Sequence, residues 1–341
     1  GPILDHLDAA LVRLEVDPAS VVIVSDIGCS GLSDQYFATS AFHGLHGRSV
    51  TYATGIKLAD PSLTVVVIMG DGGTGIGGTH LINAARRNIG VTVIVMNNLN
   101  FGMTGGQHST TTPEGAVTAT TPGGNLEHPL DICATVGVNG AGYVYRGTSF
   151  DDELTDRLVD AVSHPGFALL DIWELCTAYF VRSNRYSRRA IAETMDGIGL
   201  EAGLLFHRDV AEYAAAYREA HAGAVGDAPA TPAVIPVEYS SPLREPQAIV
   251  VAGSAGGRVQ SAAHLVGAGA IRAGLWATQR GDYPITVKTG HSIAQVVVAP
   301  GEVTLETIGA PDVRLLLTAD GARTAARGLR VRGPDSALFT V

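Results

Sequence analysis

Two polar residues, Asp71 and Asn98, are of the types that bind divalent cations. Asp71 comes two residues after the end of the apolar run 64–69, and Asn98 comes two residues after the end of the apolar run 91–96. In an open parallel sheet, ligands bind beyond the carboxyl ends of the strands, so we expect the two side chains to converge. Hard oxygen ligands of this kind suit Mg²⁺, which also binds phosphate oxygens. The spacing therefore predicts a site for Mg²⁺ and a phosphate group.

Several glycines lie near Asp71 and Asn98 in the sequence, and they are consistent with a phosphate-binding site. The chain has 42 glycines in 341 residues without a Gly-X-Y period, which excludes a collagen and indicates tight turns and close backbone approaches. Glycines let backbone N–H groups reach a diphosphate, and a helix predicted from Ile76 would offer it a positive N-terminus. A Gly-Asp-Gly sequence alone is commonly a strand-terminating turn. Its pairing with Asn98 favours a site.

Alternating strands and helices supply the frame for this site. Strand, loop, helix and strand in succession form a βαβ unit, which requires parallel strands and a right-handed crossover. The first ~200 residues are therefore predicted to be an α/β domain with a mostly parallel sheet. The predicted helices span 3–14, 76–87 and 151–163, and the predicted strands span 21–24, 64–69, 91–96 and 167–172.

A stretch rich in Ala, Gly and Pro over 222–246 has the composition of a linker. A strand at 247–252, a glycine-rich turn and a helix at 259–273 then open a second, smaller α/β unit. We therefore predict a first domain over 1–221 and a second over 247–341, the latter possibly incomplete.

Composition and charge narrow the class of protein. The formal net charge of −10 argues against nucleic acid as a partner. No apolar run approaches the about 20 residues of a membrane-spanning helix. Three cysteines, Cys29, Cys133 and Cys176, are too few and too scattered for a disulfide framework, and Cys133 is predicted to be a core residue. We expect a soluble cytoplasmic protein without a membrane partner.

The motifs resemble those of a known family. Gly70-Asp71-Gly72, followed about thirty residues later by Asn97-Asn98, is similar to the thiamine diphosphate–Mg²⁺ motif of thiamine-dependent enzymes. Roughly residues 1–205 resemble the β subunit of 2-oxoacid:ferredoxin oxidoreductases, and residues 247–341 resemble, more loosely, the γ domain of that family. The segments that carry the first resemblance are 26–31, 43–48, 53–57, 76–88 and 97–107.

The resemblance implies a role for each candidate residue. The side chains of Asp71 and Asn98 and the carbonyl of Asn100 would bind Mg²⁺, although Asn98 could instead be a turn residue stabilised by its own side chain. His46 would be a catalytic residue near the reactive end of the cofactor, or else merely a solvated loop histidine. The cofactor-binding residues implied are Ile27, Gly28, Cys29, Ser30, His46, Gly70, Asp71, Gly72, Gly73, Asn98, Asn100, Phe101, Gly102, Met103 and Thr104.

Cys29 and Cys176 match two of the four cysteines that hold a [4Fe–4S] cluster in this family. The other two, in a Cys-x-x-Cys motif, are missing, and the segment 1–4 resembles the one that directly follows that motif. Either the sequence is truncated and the native N-terminus supplies the motif, or this member has lost the cluster and the two thiols are core residues. We favour truncation.

The resemblance implies oxidative decarboxylation of a 2-oxoacid, such as pyruvate or 2-oxoglutarate, to acyl-CoA and CO₂, with electrons passed to ferredoxin. No candidate is evident here for the glutamate that activates thiamine diphosphate. We therefore expect a hetero-oligomer with an α subunit that supplies it. The γ-like domain would help assembly and contribute to the CoA side. The alternatives are a subunit of a non-oxidative thiamine-dependent decarboxylase or synthase, and a non-catalytic assembly subunit that retains the fold.

Overall fold

The computed structural model describes residues 1–222, 234–282, 290–303, 308 and 310–319, and the backbone of 337–340. The chain divides into two compact units, 1–226 and 227–341. Of the predicted linker, 223–233 lies outside the described residues, as does 283–289 in the second domain. Within the described residues, no helix has the length and apolar character needed to cross a membrane.

Strands and helices alternate along the first unit. The helices are α1 (Pro2–Arg13), α2 (Ser49–Ala59), α3 (Asp71–Ile76), α4 (Gly78–Arg87), α5 (Ile132–Val138), α6 (Leu154–Ser163), α7 (Phe180–Asn184), α8 (Arg188–Gly197) and α9 (Tyr213–Ala220). The strands are β1 (Val21–Ser25), β2 (Ser40–His43), β3 (Thr64–Gly70), β4 (Thr92–Asn97), β5 (Asn100–Phe101), β6 (Gln107–His108), β7 (Tyr143–Thr148), β8 (Ala168–Trp173) and β9 (Gly203–His207).

Seven of these strands form one sheet in the order β2-β1-β3-β4-β8-β7-β9. Each neighbouring pair is parallel except β7 and β9, which are antiparallel. Every residue of β1, β4 and β8 is buried, because helices cover both faces of the sheet. The predicted α/β fold with a mostly parallel sheet is confirmed.

Alternate residues of the strands pack into two separate cores. Val65 and Val67 face the core built with α2, α4 and α5, whereas Val66 and Ile68 face the core built with α1 and α6. This alternation follows from the two-residue repeat of a strand. Cys133, on α5, is fully buried in the first of these cores, as predicted.

The helix after β3 begins earlier than predicted and is interrupted. α3 starts at Asp71, directly after the strand, so the predicted start at Ile76 is wrong. The break falls at Gly77, where a Cβ atom would lie 2.4 Å from the carbonyl oxygen of Gly47. Gly47 itself has a φ of +70°, which favours glycine. The chain between β2 and α2 therefore crosses the helix where neither backbone carries a side chain.

The second unit contains β10 (Gln247–Ser254), α10 (Val259–Arg272), β11 (Trp276–Asp282), β12 (His291–Ala299), β13 (Val313–Leu316) and β14 (Ala337–Thr340). Its sheet has the order β11-β12-β10-β13-β14, with β12 antiparallel to both of its neighbours and the other pairs parallel. Val259, Ala263 and Ala270 of α10 pack against this sheet. The unit is a small α/β unit with a mixed sheet.

We predict that Gly31→Ala destabilises the first unit by about 2–3 kcal/mol, the range of overpacking substitutions. A Cβ atom at buried Gly31 would lie 2.0 Å from the carbonyl oxygen of Asp26, so backbone must move. The matched control is Gly55→Ala on α2, where no atom lies within 4 Å and alanine should stabilise the helix by roughly 0.5–1 kcal/mol. Urea unfolding followed through Trp173, with Trp276 replaced by Phe, measures both; equal midpoints would contradict the prediction.

Candidate functional site

The loops that leave β1, β3 and β4 meet at the carboxyl edge of the large sheet. A Cβ atom on Gly72 would lie 2.3 Å from the ring of Phe101, which follows β4. A Cβ atom on Gly73 would lie 3.0 Å from the carboxylate of Asp26, which follows β1. Glycine at both positions is therefore a condition for the three loops to approach one another.

Asp71 is a buried carboxylate at the centre of this edge, with 2% of its surface exposed. Thr111 Oγ1 lies 3.4 Å from its Oδ2 atom. Burial raises the pKa of Asp71 to about 7, against the opposing effect of hydrogen bonds from Ser109, Thr111 and the backbone of Gly72. Within the described part of the chain it forms no ion pair. The surroundings therefore leave the ionised form of Asp71 only partly compensated.

Asn98 and Asn100 form a tight turn after β4. The side-chain oxygen of Asn98 accepts a hydrogen bond from the backbone N–H of Asn100 over 3.3 Å, and Asn100 Nδ2 donates to the carbonyl of Asn98 over 2.9 Å. Leu99, between them, has a φ of +65°, an uncommon conformation for a branched residue. Its side chain is fully buried against Trp173 and Phe180, which fixes the turn.

The donors at this edge fit a hard cation. The side-chain oxygen of Asn100 is buried and has no hydrogen-bond partner. A Cβ atom on Gly102 would lie 3.9 Å from this oxygen, 3.9 Å from Asn98 Nδ2 and 3.3 Å from the Cys29 thiol, so these groups surround one small space. Buried polar atoms are rarely left unpaired, and the oxygen atoms of Asn100 and of the Asp71 carboxylate are of the kind that Mg²⁺ prefers. Asn98 faces this space with its Nδ2 atom, while its Oδ1 atom accepts the hydrogen bond from Asn100.

A second buried carboxylate, Asp26, holds His46. Asp26 is fully buried, and its Oδ1 atom lies 2.6 Å from Nδ1 of His46. It also accepts hydrogen bonds from the backbone N–H groups of Gly47 and Ile27 and from the hydroxyl of Ser49. Burial alone would raise the pKa of Asp26, but the hydrogen bonds from these four residues outweigh it and hold the pKa below its ordinary value.

The orientation of His46 follows from this pairing. An ionised carboxylate only accepts hydrogen bonds, so Nδ1 of His46 must carry a hydrogen, and Nε2 is the atom that can gain or lose a proton. The His46 ring centroid is 6.2 Å from that of Phe101, and 30% of its side chain is exposed. His46 is therefore an oriented histidine at the edge of the site rather than a freely solvated one.

The other predicted residues of the loops lie around this centre. Gly28 has a φ of +106°, and Ser30 is buried with its hydroxyl 3.5 Å from where a Cβ atom of Gly70 would lie. Thr104 and Met103 lie on the turn beyond Phe101. The hydroxyl of Thr104 donates to the side chain of Gln107 within that turn.

Cys29 and Glu174 line a cavity of about 260 Å³, and Cys176 is near enough to Cys29 to interact with it electrostatically. Desolvation, Cys176 and Glu174 all raise the pKa of the Cys29 thiol. Burial raises the pKa of Glu174 to about 7. Among the described residues, no group of three or more His, Cys, Asp or Glu side chains could hold a metal ion. Two thiols do not complete the four-thiolate set of a [4Fe–4S] cluster.

The motif analysis gave no role to Asp26, Ser109 and Thr111. Asp26 ends a buried strand beside a glycine-containing loop, and this position was a usable signal. Ser109 and Thr111 stand in a run of hydroxyl residues, 109–112, that carries no recognisable spacing. Only the fold brings them to Asp71.

The residues of this edge lie within the part of the chain that matches a known protein family. The family "Thiamine pyrophosphate enzyme, C-terminal TPP binding domain" matches residues 26–172, which include Asp26, Asp71 and Asn98. A solved 2-oxoglutarate:ferredoxin oxidoreductase from Magnetococcus marinus, with 2-oxoglutarate, coenzyme A and succinyl-CoA bound, has a TM-score of 0.58 at 29% identity. The similarity covers 66% of this chain and 85% of that chain.

Two curated relatives are similar in sequence. The 2-oxoglutarate synthase subunit KorB of Archaeoglobus fulgidus is 48% identical over 160 residues, which cover 46% of this chain and 60% of that protein. The same subunit from Methanocaldococcus jannaschii is 39% identical over 186 residues, which cover 54% of this chain and 69% of that protein. The chain thus spans less than two thirds of the Archaeoglobus protein. It belongs to the family of 2-oxoglutarate synthase and 2-oxoacid:ferredoxin oxidoreductase β subunits.

Proposed function

We propose that this chain is the thiamine diphosphate-binding subunit of a 2-oxoacid:ferredoxin oxidoreductase. The complex would convert a 2-oxoacid and CoA to acyl-CoA and CO₂ and pass the electrons to ferredoxin. The observation that carries the proposal is the buried carboxylate of Asp71, set among oxygen donors in the domain that matches the thiamine pyrophosphate family. Two relatives are named for 2-oxoglutarate, which makes it the first substrate to test.

The residues of the first unit would hold the cofactor as follows. The carboxylate of Asp71, the side chain of Asn98 and the carbonyl of Asn100 would bind Mg²⁺. Gly72 and Gly73 would let the backbone approach the diphosphate, since neither has a side chain in the way. When bound, thiamine diphosphate supplies the carbanion and the electron sink for decarboxylation.

His46 would handle protons near the cofactor. Asp26 fixes the ring through Nδ1, so a proton can be held or released only at Nε2. The hydrogen bonds that Asp26 also receives from Gly47 and Ser49 keep it ionised and in place. In this scheme Asp26 is a positioning residue, because it acts through His46.

The remaining proposals concern partners and a cluster. An α subunit would supply the glutamate that activates thiamine diphosphate, so the active form would be a hetero-oligomer. We propose that this complex is cytoplasmic. We propose residues 247–341 as a γ-like domain that serves assembly and the CoA side. Cys29 and Cys176 would provide two of the four thiolates of a [4Fe–4S] cluster. The described thiols do not complete the four-thiolate set of such a cluster.

The proposed activity is testable in the complex of this chain with its co-expressed α subunit. We expect reduction of a viologen dye that requires both 2-oxoglutarate and CoA. Removal of thiamine diphosphate with EDTA should abolish this reduction, and adding back thiamine diphosphate and Mg²⁺ should restore it. Activity that survives cofactor removal would contradict the proposal. Decarboxylation without dye reduction would favour the non-oxidative alternative, and no cofactor binding in calorimetry would favour an assembly subunit.

The buried charge of Asp71 predicts that one substitution will raise the stability of the ligand-free protein and abolish cofactor binding. With a pKa of about 7 in the folded chain against 3.8 for the free side chain, the ligand-free protein should lose stability as the pH rises from about 4 to 7. Asp71→Asn removes this buried charge and should stabilise the ligand-free chain at pH 8 by up to about 4 kcal/mol, with no gain near pH 4. The same variant should lose Mg²⁺-dependent binding of thiamine diphosphate.

Urea unfolding at the two pH values and calorimetric titration measure both effects of this substitution. Asp60→Asn is the control, because Asp60 is a solvent-exposed carboxylate outside the site. A destabilised Asp71→Asn variant at pH 8 would contradict the effect of burial on this carboxylate. A variant that still binds the cofactor with Mg²⁺ would contradict its role as a metal ligand.

The cluster proposal predicts iron and acid-labile sulfide in native-length protein purified without oxygen. We expect about four of each per chain, the stoichiometry of a [4Fe–4S] cluster. Cys133→Ala, which alters a buried thiol of the core, serves as the control beside Cys29→Ala and Cys176→Ala. Native-length protein free of both iron and sulfide would rule the cluster out.

A further inference from the structure

A chain of buried hydrogen bonds leads from Asp71 into the sheet. Thr111 Oγ1 lies between two oxygen atoms, 3.4 Å from Oδ2 of Asp71 and 2.9 Å from Oδ1 of Asn97. Asn97, the last residue of β4, donates from Nδ2 to Oδ1 of Asp171 over 2.9 Å. None of these four residues exposes more than 2% of its surface. This series of hydrogen bonds therefore connects the candidate cation ligand to the interior of the protein.

A buried ion pair anchors the far end of this chain. Arg146, on β7, donates from Nε to Oδ2 of Asp171, on β8, over 3.2 Å. Arg146 also pairs with Asp131, and the indole N–H of Trp173 donates to Asp171 over 3.2 Å. Arg146 is 1% exposed, so neither charge of the pair can turn toward solvent without unfolding. A fully hydrogen-bonded pair of this kind fixes geometry more than it adds stability.

The ion pair sets the direction of each hydrogen bond in the chain. Asp171, paired with Arg146, only accepts, so the amide nitrogen of Asn97 must face it. The amide oxygen of Asn97 then faces Thr111, whose hydroxyl has a single hydrogen to donate. This hydrogen is shared between Asn97 Oδ1 at 2.9 Å and Asp71 Oδ2 at 3.4 Å in a three-centre hydrogen bond. The longer, weaker bond holds the carboxylate of Asp71 in place and leaves lone pairs of Oδ2 for a cation.

We propose that Thr111 and Asn97 are positioning residues that orient the carboxylate of Asp71 for Mg²⁺. The inference rests on the proposed function of the site. It gives a role to Thr111, which lies outside the motif, and to Asn97, which is in the motif but was assigned no role. Thr111 acts directly on Asp71, and Asn97 acts through Thr111. The hydroxyl of Ser109 lies 3.2 Å from that of Thr111 and completes its surroundings. Partners one shell out from a metal commonly alter its affinity by about 10–100-fold.

The test compares three variants of the full chain, co-purified with its α subunit. Thr111→Val keeps the shape of the side chain and removes the hydroxyl; Thr111→Ser restores it. Thr92→Val is the matched control, because Thr92 is another buried threonine, at the opposite end of β4, whose hydroxyl donates to the carbonyl of Ala161 over 3.1 Å. Mg²⁺ is titrated by calorimetry at a fixed, saturating concentration of thiamine diphosphate, and thermal unfolding of the ligand-free proteins is measured in parallel.

We expect Thr111→Val to weaken the apparent affinity for Mg²⁺ by about tenfold or more, and Thr111→Ser to return it to within about twofold of the unmodified chain. Thr92→Val should lower the unfolding temperature but leave the Mg²⁺ affinity unchanged. Should Thr111→Val fail to fold, Thr111→Ala takes its place.

An unchanged affinity in Thr111→Val, or an equal loss in Thr92→Val, would overturn the positioning role while leaving the proposed function intact. An unmodified complex that binds neither Mg²⁺ nor thiamine diphosphate would refute the proposed function, and the positioning role with it.

Discussion

Parallel pairing of β1, β3 and β4 puts three exits of the chain at one edge of the sheet, and the candidate site depends on this alignment. The register pairs Ser25 with Ile68 and Gly70 with Met96, so the strands end almost level with one another. Asp26, Asp71 and the turn at 98–100 then follow within one or two residues of a buried backbone. Little freedom remains for their side chains, because the strands that carry them are packed on both faces.

Two carboxylates at this edge show how surroundings assign different tasks to one functional group. Asp26 accepts hydrogen bonds from several donors and stays ionised, which suits an anchor for His46. Asp71 is also buried, but it has no partner like His46, and its hydrogen bonds from hydroxyl and backbone N–H groups do not offset the loss of water. A buried carboxylate with these partners is destabilised in its ionised form when no cation is bound, and a bound cation would relieve this cost. The contrast arises from the neighbours of each residue, not from burial.

Much of the first unit could be predicted from sequence, because β1, β3, β4 and β8 are continuous apolar runs. β2 and β9 could not be predicted in this way. β2 is exposed at every residue, and β9 is exposed at Leu204 and His207 and only partly buried elsewhere. α3 could not be predicted either, because its glycine-rich sequence has poor helix propensity and is held by packing. Spacing indicated Asp71 and Asn98. The hydrogen bonds from Thr111 to Asp71 and from Asn97 to Asp171 join residues 40 and 74 positions apart, which no local pattern reveals.

The crossing of Gly47 and Gly77 has a consequence for how this protein can change over evolutionary time. Neither residue can acquire a side chain unless the other backbone moves, so the two segments are constrained to vary together or not at all. The neighbours of Gly47 are under no such restriction: Leu45 is 69% exposed, and Arg48 is exposed as well. Substitution of Leu45 or Arg48 can therefore change the surface beside His46 and with it ligand specificity. Lengthening either segment would displace His46 and α3 at the same time.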